Sequence, residues 1–238
     1  MNGLKIYLGH DPREEGALEV AVKSLHKVAP DLTPTILNTE RLRAQGLYWR
    51  PVDRRGGQDY DLTSNEQAST QFKCTRFLTP LLAQTGWALF VDSDVVFLRD
   101  PREMLDSASP RTPLHLVAHE QRVGSDDPRK MDNQTQRPHP FKNWSSVMLF
   151  WCEHDVHRRL SLRDISERSA YDLHRFYWLD PEADIGFLER RWNWLVGCGP
   201  RPHELGIAHL TLGGPWLPGW QGGGAFDREW LEMRDSRA

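Results

Sequence analysis

The chain has 238 residues, 39% of them hydrophobic, enough to bury one large core, or a core with a smaller lobe around a cleft. Its 30 Lys and Arg balance 33 Asp and Glu, for a net charge of -3. No field from net charge therefore draws it to nucleic acid or to an anionic membrane, and any phosphate chemistry must be local.

Residues 5–10 alternate and are rich in β-formers, residues 9–12 break the pattern, and residues 14–29 carry Ala17, Ala21, Leu25 and Val28 at helical spacing. A strand, loop and helix are predicted there. Residues 35–37 are a second short strand, and residues 38–64, dense in Arg, Gly, Gln and Asp, read as a long connection. The pattern over 66–84 predicts a helix kinked at Pro80, followed by a buried strand over 87–91 and more apolar chain over 95–98. Asp100-Pro101 reads as a helix start, 114–118 as a strand and 119–143 as a polar, Pro-rich loop able to act as a lid. A strand over 146–151, surface helix over 158–176, short strand over 207–210, turn at 213–216 and last helix over 227–234 complete the order.

No basic stretch followed by an apolar one opens the chain, and no apolar run reaches about eighteen residues, so no membrane span and a cytoplasmic location are expected. Cys74, Cys152 and Cys198 are widely spaced without a C-x-x-C pair, which argues against a disulfide framework or thiolate zinc site. The glycosylation patterns at Asn133 and Asn143 carry no weight without a secretory signal.

Two carboxylates one residue apart in extended chain point to the same side, so Asp92 and Asp94 can share a divalent cation where the buried strand ends. Open α/β sheets bind ligands at such strand ends. A cation there would bridge diphosphate oxygens and stabilise a departing nucleoside diphosphate. Asp59-Tyr-Asp61 repeats the spacing in polar surroundings and reads as solvated. Apolar neighbours distinguish the first pair, since Leu89 to Val91 and Val95 to Leu98 frame Asp92-Ser93-Asp94 with chain in which bare charge is costly.

Residues 5–216 resemble the glycosyltransferase family 8 group of the GT-A fold. The opening Ile6-Tyr-Leu-Gly-His-Asp11 is similar to that family's first strand, and the resemblance assigns His10 and Asp11 to the nucleoside base. It gives Arg76 a contact with the donor's diphosphate or sugar, and His209, ahead of Gly213-Gly-Pro-Trp216, the place of third metal ligand. Two carboxylates with a neutral imidazole suit Mn²⁺ better than Mg²⁺, which remains possible. Gly213 and Gly214 permit close backbone approach to phosphate. Ser93, Asn143, Ser145 and Ser146 are further donor contacts by the same resemblance, and Asp184 is the acidic residue by the anomeric centre, with Glu182 its partner. The chain departs from the family in Ala183, where a Gln is usual, and in Gly214, where a Lys is usual; Arg122, Arg129 and Lys130 of the polar loop are cations that can stand in.

The expectation is one α/β domain with a mixed, mainly parallel sheet flanked by helices, about 1–118 binding nucleotide-sugar and metal and about 119–238 binding sugar and acceptor. The expected activity is metal-dependent transfer from a nucleoside diphosphate sugar, a UDP-sugar, to an acceptor hydroxyl such as that of a glycan. The resemblance implies retention, either through an enzyme nucleophile such as Asp184 or by same-face attack assisted by the leaving phosphate. The alternatives are a sugar-nucleotide hydrolase or nucleotidyltransferase, and a non-catalytic nucleotide-sugar binder.

Overall fold

The computed structural model describes residues 3–55, 58–119 and 144–236. Its first half runs β1 (Lys5–Gly9), α1 (Glu15–Val28), β2 (Pro34–Leu37), α2 (Thr39–Ala44), β3 (Val52–Arg55), β4 (Gln58–Asp61), β5 (Glu66–Gln67), α3 (Thr79–Ala83), β6 (Trp87–Val91), β7 (Val95–Phe97) and β8 (Leu114–Leu116). The second half runs β9 (Val147–Trp151), α4 (Leu162–Glu167), α5 (Ala170–His174), β10 (Ile185–Phe187), β11 (Trp194–Leu195), β12 (Ile207–His209) and α6 (Asp227–Asp235).

Six strands form the central sheet in the order β10-β8-β9-β6-β1-β2. Only β9 runs against its neighbours, β6 and β8, so the sheet is mixed and mainly parallel, as expected. Period-two alternation sends Tyr7, Phe90, Met148 and Phe150 to one face and Ile6, Leu8, Leu89, Val91, Val147 and Leu149 to the other. Both faces are therefore core, and the near-continuous apolar runs of these strands follow from that double burial. Each fully buried Leu, Val or Phe contributes about 1.5–3 kcal/mol by leaving water. A smaller sheet, β11-β12-β7, packs with α6 around Phe226 and Trp230.

Four expectations change. The long connection over 38–64 contains α2, capped by Asn38, and strands β3 and β4 of an antiparallel sheet that β5 completes. Its β3 is exposed throughout, so no apolar alternation announced it. Asp61 is not solvated; it is buried and paired with Arg50 at 2.7 Å. The helix expected over 66–84 is a 3-10 turn at Thr75–Leu78 leading into α3, with Pro80 in the first turn rather than the interior. Proline is compatible with that position because the first-turn N–H lacks an intrahelical partner anyway. The helix expected over 158–176 is likewise two short ones, since Ser161 and Ser169 each accept from a backbone N–H and start a new helix. No described helix is long and apolar enough to cross a membrane.

His115 and His157 are buried in this framework, and burial holds each imidazole down to about 4. The Nε2 of His115 accepts from the Ser109 N–H at 3.2 Å, so adding a proton there sets donor against donor. Both folded values lie below the ordinary 6.5, so the unfolded chain takes up these protons first. The stability they contribute is intact above about pH 6.5 and is lost as pH falls toward about 4, by up to about 3 kcal/mol each. Urea denaturation should show a lower midpoint at about pH 5 than at about pH 7, with a shallower pH dependence in His157→Gln. Equal midpoints would contradict this account.

Candidate active site

The parallel strands β1, β2, β6, β8 and β10 all end at one edge of the sheet, where β9 begins. That edge carries His10 after β1, Asn38 after β2, Asp92 after β6, His119 beyond β8, and Ser145 and Ser146 just before β9. The ladder between β6 and β9 continues one step further, as Asp92 N–H donates to the Ser146 carbonyl at 2.9 Å.

Asp92, Asp94 and His209 each offer a ligand atom, and these atoms lie within 4.8 Å of one another. Their meeting is a matter of register: antiparallel β7 and β12 pair Val95 with His209, and the Leu210 N–H donates to the Asp94 carbonyl at 2.8 Å. His209 Nε2 stands 3.1 Å from Asp94 Oδ1, while its Nδ1 is 2.9 Å from Asn193 Oδ1. The Asn193 amide is oriented by donating from Nδ2 to Ser146 Oγ at 2.9 Å, so its oxygen is left to accept from His209 Nδ1–H. In the neutral ring the Nε2 lone pair then faces a carboxylate, an arrangement that a bound cation satisfies and that also fixes the tautomer a metal ligand needs. The donor set of two carboxylates and one imidazole fits a divalent ion.

Arg76 holds the other side of the cluster. Its guanidinium sits over the rings of both Phe72 and Phe90, 5.1 and 5.2 Å from their centroids, and Nη1 lies 3.0 Å from Asp92 Oδ1. The same nitrogen donates to the Ser145 carbonyl at 2.8 Å. Ser145 Oγ in turn meets His174 Nδ1 at 2.9 Å, and His174 Nε2 donates to the Lys73 carbonyl at 3.1 Å. Behind the carboxylates, fully buried Ser93 donates from Oγ to Glu14 at 2.7 Å, which pins the turn between Asp92 and Asp94 onto the start of α1.

The structure thus gathers Asp92, Asp94, His209, Arg76, Ser145 and Ser146 in one place. His10 is at the same edge, held between Glu15 and Asn38. Other assigned side chains are turned elsewhere. Asp11 is 1% exposed, and its carboxylate accepts from Arg13 and from the Gln71 N–H. Those contacts hold its carboxyl below the usual carboxylate range against the opposing effect of burial. Ser93 faces Glu14 rather than the cleft, and the Gly213 N–H is spent on the Leu210 carbonyl. Asn143, Arg122, Arg129 and Lys130 lie outside the described residues.

Asp184 and Glu182 stand at the opposite edge. The Asp184 carbonyl accepts from Leu114 at the start of β8, beside the end of β9, whereas the metal cluster lies at the start of β9, about 13 Å away along that strand. Asp184 accepts from the Asp180 N–H, and Asp180 from Glu182 and Ala183, so the segment is a self-satisfied polar turn. Three residues gained a place in the site only from the structure: Glu14, His119 and His174. Burial pushes His119 down to about 4, with a smaller contribution from His209 and Arg190, so its imidazole is neutral at the edge that carries the carboxylate cluster. A strand end next to a known cluster is the one signal that could have found His119.

A mainly parallel sheet carrying such a cluster at its strand ends is the architecture of the GT-A glycosyltransferases, and comparison with solved structures shows that fold. Glycosyltransferase GlyE of Streptococcus pneumoniae TIGR4 matches with a TM-score of 0.57 at 16% identity, over 99% of this chain and 62% of GlyE. The chain thus spans about three fifths of GlyE's length. The galactosyltransferase LgtC, solved with donor and acceptor sugar analogs, matches at 0.54 and 15% identity, over 97% of this chain and 95% of LgtC. No family model matches the chain. It is 35% identical over 227 residues to Protein CDI of Arabidopsis thaliana, covering 91% of this chain and 81% of that protein, and it belongs to the same family.

If the Ser93–Glu14 bond fixes the turn between the carboxylates, Ser93→Ala should cost about 1–3 kcal/mol in urea denaturation, because a buried carboxylate loses a hydroxyl donor. A change within about 0.3 kcal/mol would assign the contact no structural role.

Proposed function

We propose that this protein is a divalent-cation-dependent glycosyltransferase moving a sugar from a nucleoside diphosphate sugar, a UDP-sugar, to an acceptor hydroxyl in a cytoplasmic setting. The observation that carries this reading is the convergence of Asp92, Asp94 and His209 within 4.8 Å at the strand-end edge of a GT-A fold. The mixed oxygen and nitrogen donor set favours Mn²⁺, with Mg²⁺ the weaker fit. Bound there, the cation would neutralise charge developing on the leaving nucleoside diphosphate.

The protein's own groups prepare that site. Asn193 holds the His209 ring so that Nε2 faces the carboxylates, and Arg76 orients Asp92 and ties it to the start of β9. Ser145 and Ser146 then flank the position of the donor sugar. In this reading residues 1–118 present the nucleotide and 119–238 the sugar and acceptor, with His209 of the second half completing the metal centre. Asp184 stands across the sheet from that centre, which favours retention by same-face attack, the leaving phosphate taking the acceptor proton, over attack by Asp184 itself.

Thermal-shift measurement against a panel of nucleoside diphosphate sugars, with Mn²⁺ and with chelator, tests the reading. One donor should give a metal-dependent shift that Asp94→Asn and His209→Ala both abolish. A folded protein that responds to no donor, or that releases nucleoside monophosphate instead of diphosphate, would overturn it. Asn193→Leu should weaken Mn²⁺ binding by roughly 10–100-fold in titration calorimetry, the usual effect of removing the partner of a ligating imidazole. Asp184→Asn should leave both the donor shift and transfer intact; loss of transfer with donor binding retained would restore Asp184 as a reacting group.

A further inference from the structure

His174 is the last residue of α5, whose Ala170 and Leu173 have no exposure, so the helix is a fixed base for its side chain. The imidazole stands edge-on to the Phe77 ring, with 5.1 Å between centroids at 85°, and both of its nitrogens are in use. A carbonyl can only accept, so Nε2, 3.1 Å from the Lys73 carbonyl, carries the ring proton. In the neutral ring Nδ1 is then a bare acceptor, and it takes the hydroxyl proton of Ser145 at 2.9 Å.

That assignment fixes what Ser145 can do. With its one proton given to His174, its Oγ only accepts, and Arg76 Nη1 donates to it at 3.3 Å as well as to the Ser145 carbonyl at 2.8 Å. Arg76 itself belongs to the 3-10 turn Thr75–Leu78, which follows Lys73. One imidazole therefore holds the segment that carries the guanidinium with one nitrogen and the hydroxyl that receives the guanidinium with the other.

The guanidinium is in this way spent on one side only. Its hydrogen bonds come from Nη1 and, at 3.5 Å, from Nε to the Phe72 carbonyl. Nη2 donates to none of the described residues and is not sealed from solvent. Asp92 Oδ1 lies 3.0 Å from Nη1, and an arginine beside a carboxylate pairs with it through two parallel bonds when nothing else directs it. The Ser145 hydroxyl and carbonyl draw Nη1 away from that geometry. An Arg76 released from them would close on Asp92, and it would be lost to any phosphate while opposing a cation at the same carboxylate.

We infer that His174 is a positioning residue for the diphosphate of the donor: acting through Ser145, it keeps Arg76 from closing on Asp92 and leaves Nη2 to meet a phosphate. The inference rests on the proposed nucleotide-sugar reading and adds to it a residue that touches neither metal nor donor.

Imidazole nitrogen NMR and titration calorimetry of UDP with Mn²⁺, both on the full chain, test it. The spectrum should show a neutral His174 with its proton on Nε2. His174→Phe, which keeps a ring against Phe77, should weaken UDP binding about 5-fold, the effect of losing one hydrogen bond. Ser145→Ala should do the same, and because UDP carries no sugar, a contact between Ser145 and the donor sugar does not enter the measurement. In an Arg76→Lys background neither substitution should weaken UDP further. Additive losses there would mean a general loosening of the fold and would overturn the inference, as would wild-type affinity in His174→Phe or a proton on Nδ1. Absence of UDP binding by the wild type would overturn the proposed donor class and this inference with it. Circular dichroism melts check each variant, and Ser145→Ala carries the test if His174→Phe fails to fold.

Discussion

The arrangement depends on two carboxylates placed where a wholly buried strand runs out. Leu89, Phe90 and Val91 have no exposure, and the chain turns through Asp92-Ser93-Asp94 before Val95 is buried again. Negative charge in such surroundings is tolerated only when something answers it. Arg76 answers Asp92 from one side, while the neutral His209 turns a lone pair toward Asp94, which a bound cation would answer. Glu14, buried in the same region, receives the Ser93 hydroxyl, so the turn itself is tied down from behind. A cleft that gathers this much charge at the end of an apolar strand is a place for chemistry more than a means to stability, since buried ion pairs contribute little net folding energy.

Much of the remaining architecture serves to bring the answering groups to that point. The central sheet sets β9 antiparallel to β6, which puts Ser145 and Ser146 at the strand end, where one carbonyl accepts from Asp92 and the other from Arg76. The small sheet sets β12 against β7, which puts His209 opposite Val95, and its Asn193, just before β11, orients the imidazole. Because Asn193 also leans on Ser146, the two sheets are joined by a hydrogen-bond chain that runs through the metal cluster. Disturbing either register would misplace a ligand by at least one residue spacing and turn its side chain to the other face.

The antiparallel β3-β4-β5 sheet, by contrast, owes nothing to the metal centre. It is anchored by Arg50 and Asp61, and it encloses a polar cavity beside the strand-end edge. Folds of this kind host many activities, and what separates them is the set of loops and insertions laid along that edge. Similarity to GlyE and LgtC at 16% and 15% identity shows the common frame.

What the sequence alone determined was local. Helical spacing marked α1, uninterrupted apolar runs marked β6 and β9, and the paired carboxylates between two apolar stretches marked a candidate metal site before any contact was known. The hairpin over 52–61 was illegible because its first strand is exposed on both faces and so carries no alternation, and Asp61 read as solvated because its partner Arg50 is reached only when the hairpin closes. The resemblance gives Asp184 a reacting role, but a sequence cannot say at which end of a strand a residue will stand. Only the tertiary structure decided that Asp184 stands just before β10 at the far edge while His209 ends β12 beside Asp94. The reason is physical: side-chain periodicity along a segment is fixed by its own backbone, whereas strand direction and register depend on hydrogen-bonded neighbours that lie far away in the chain.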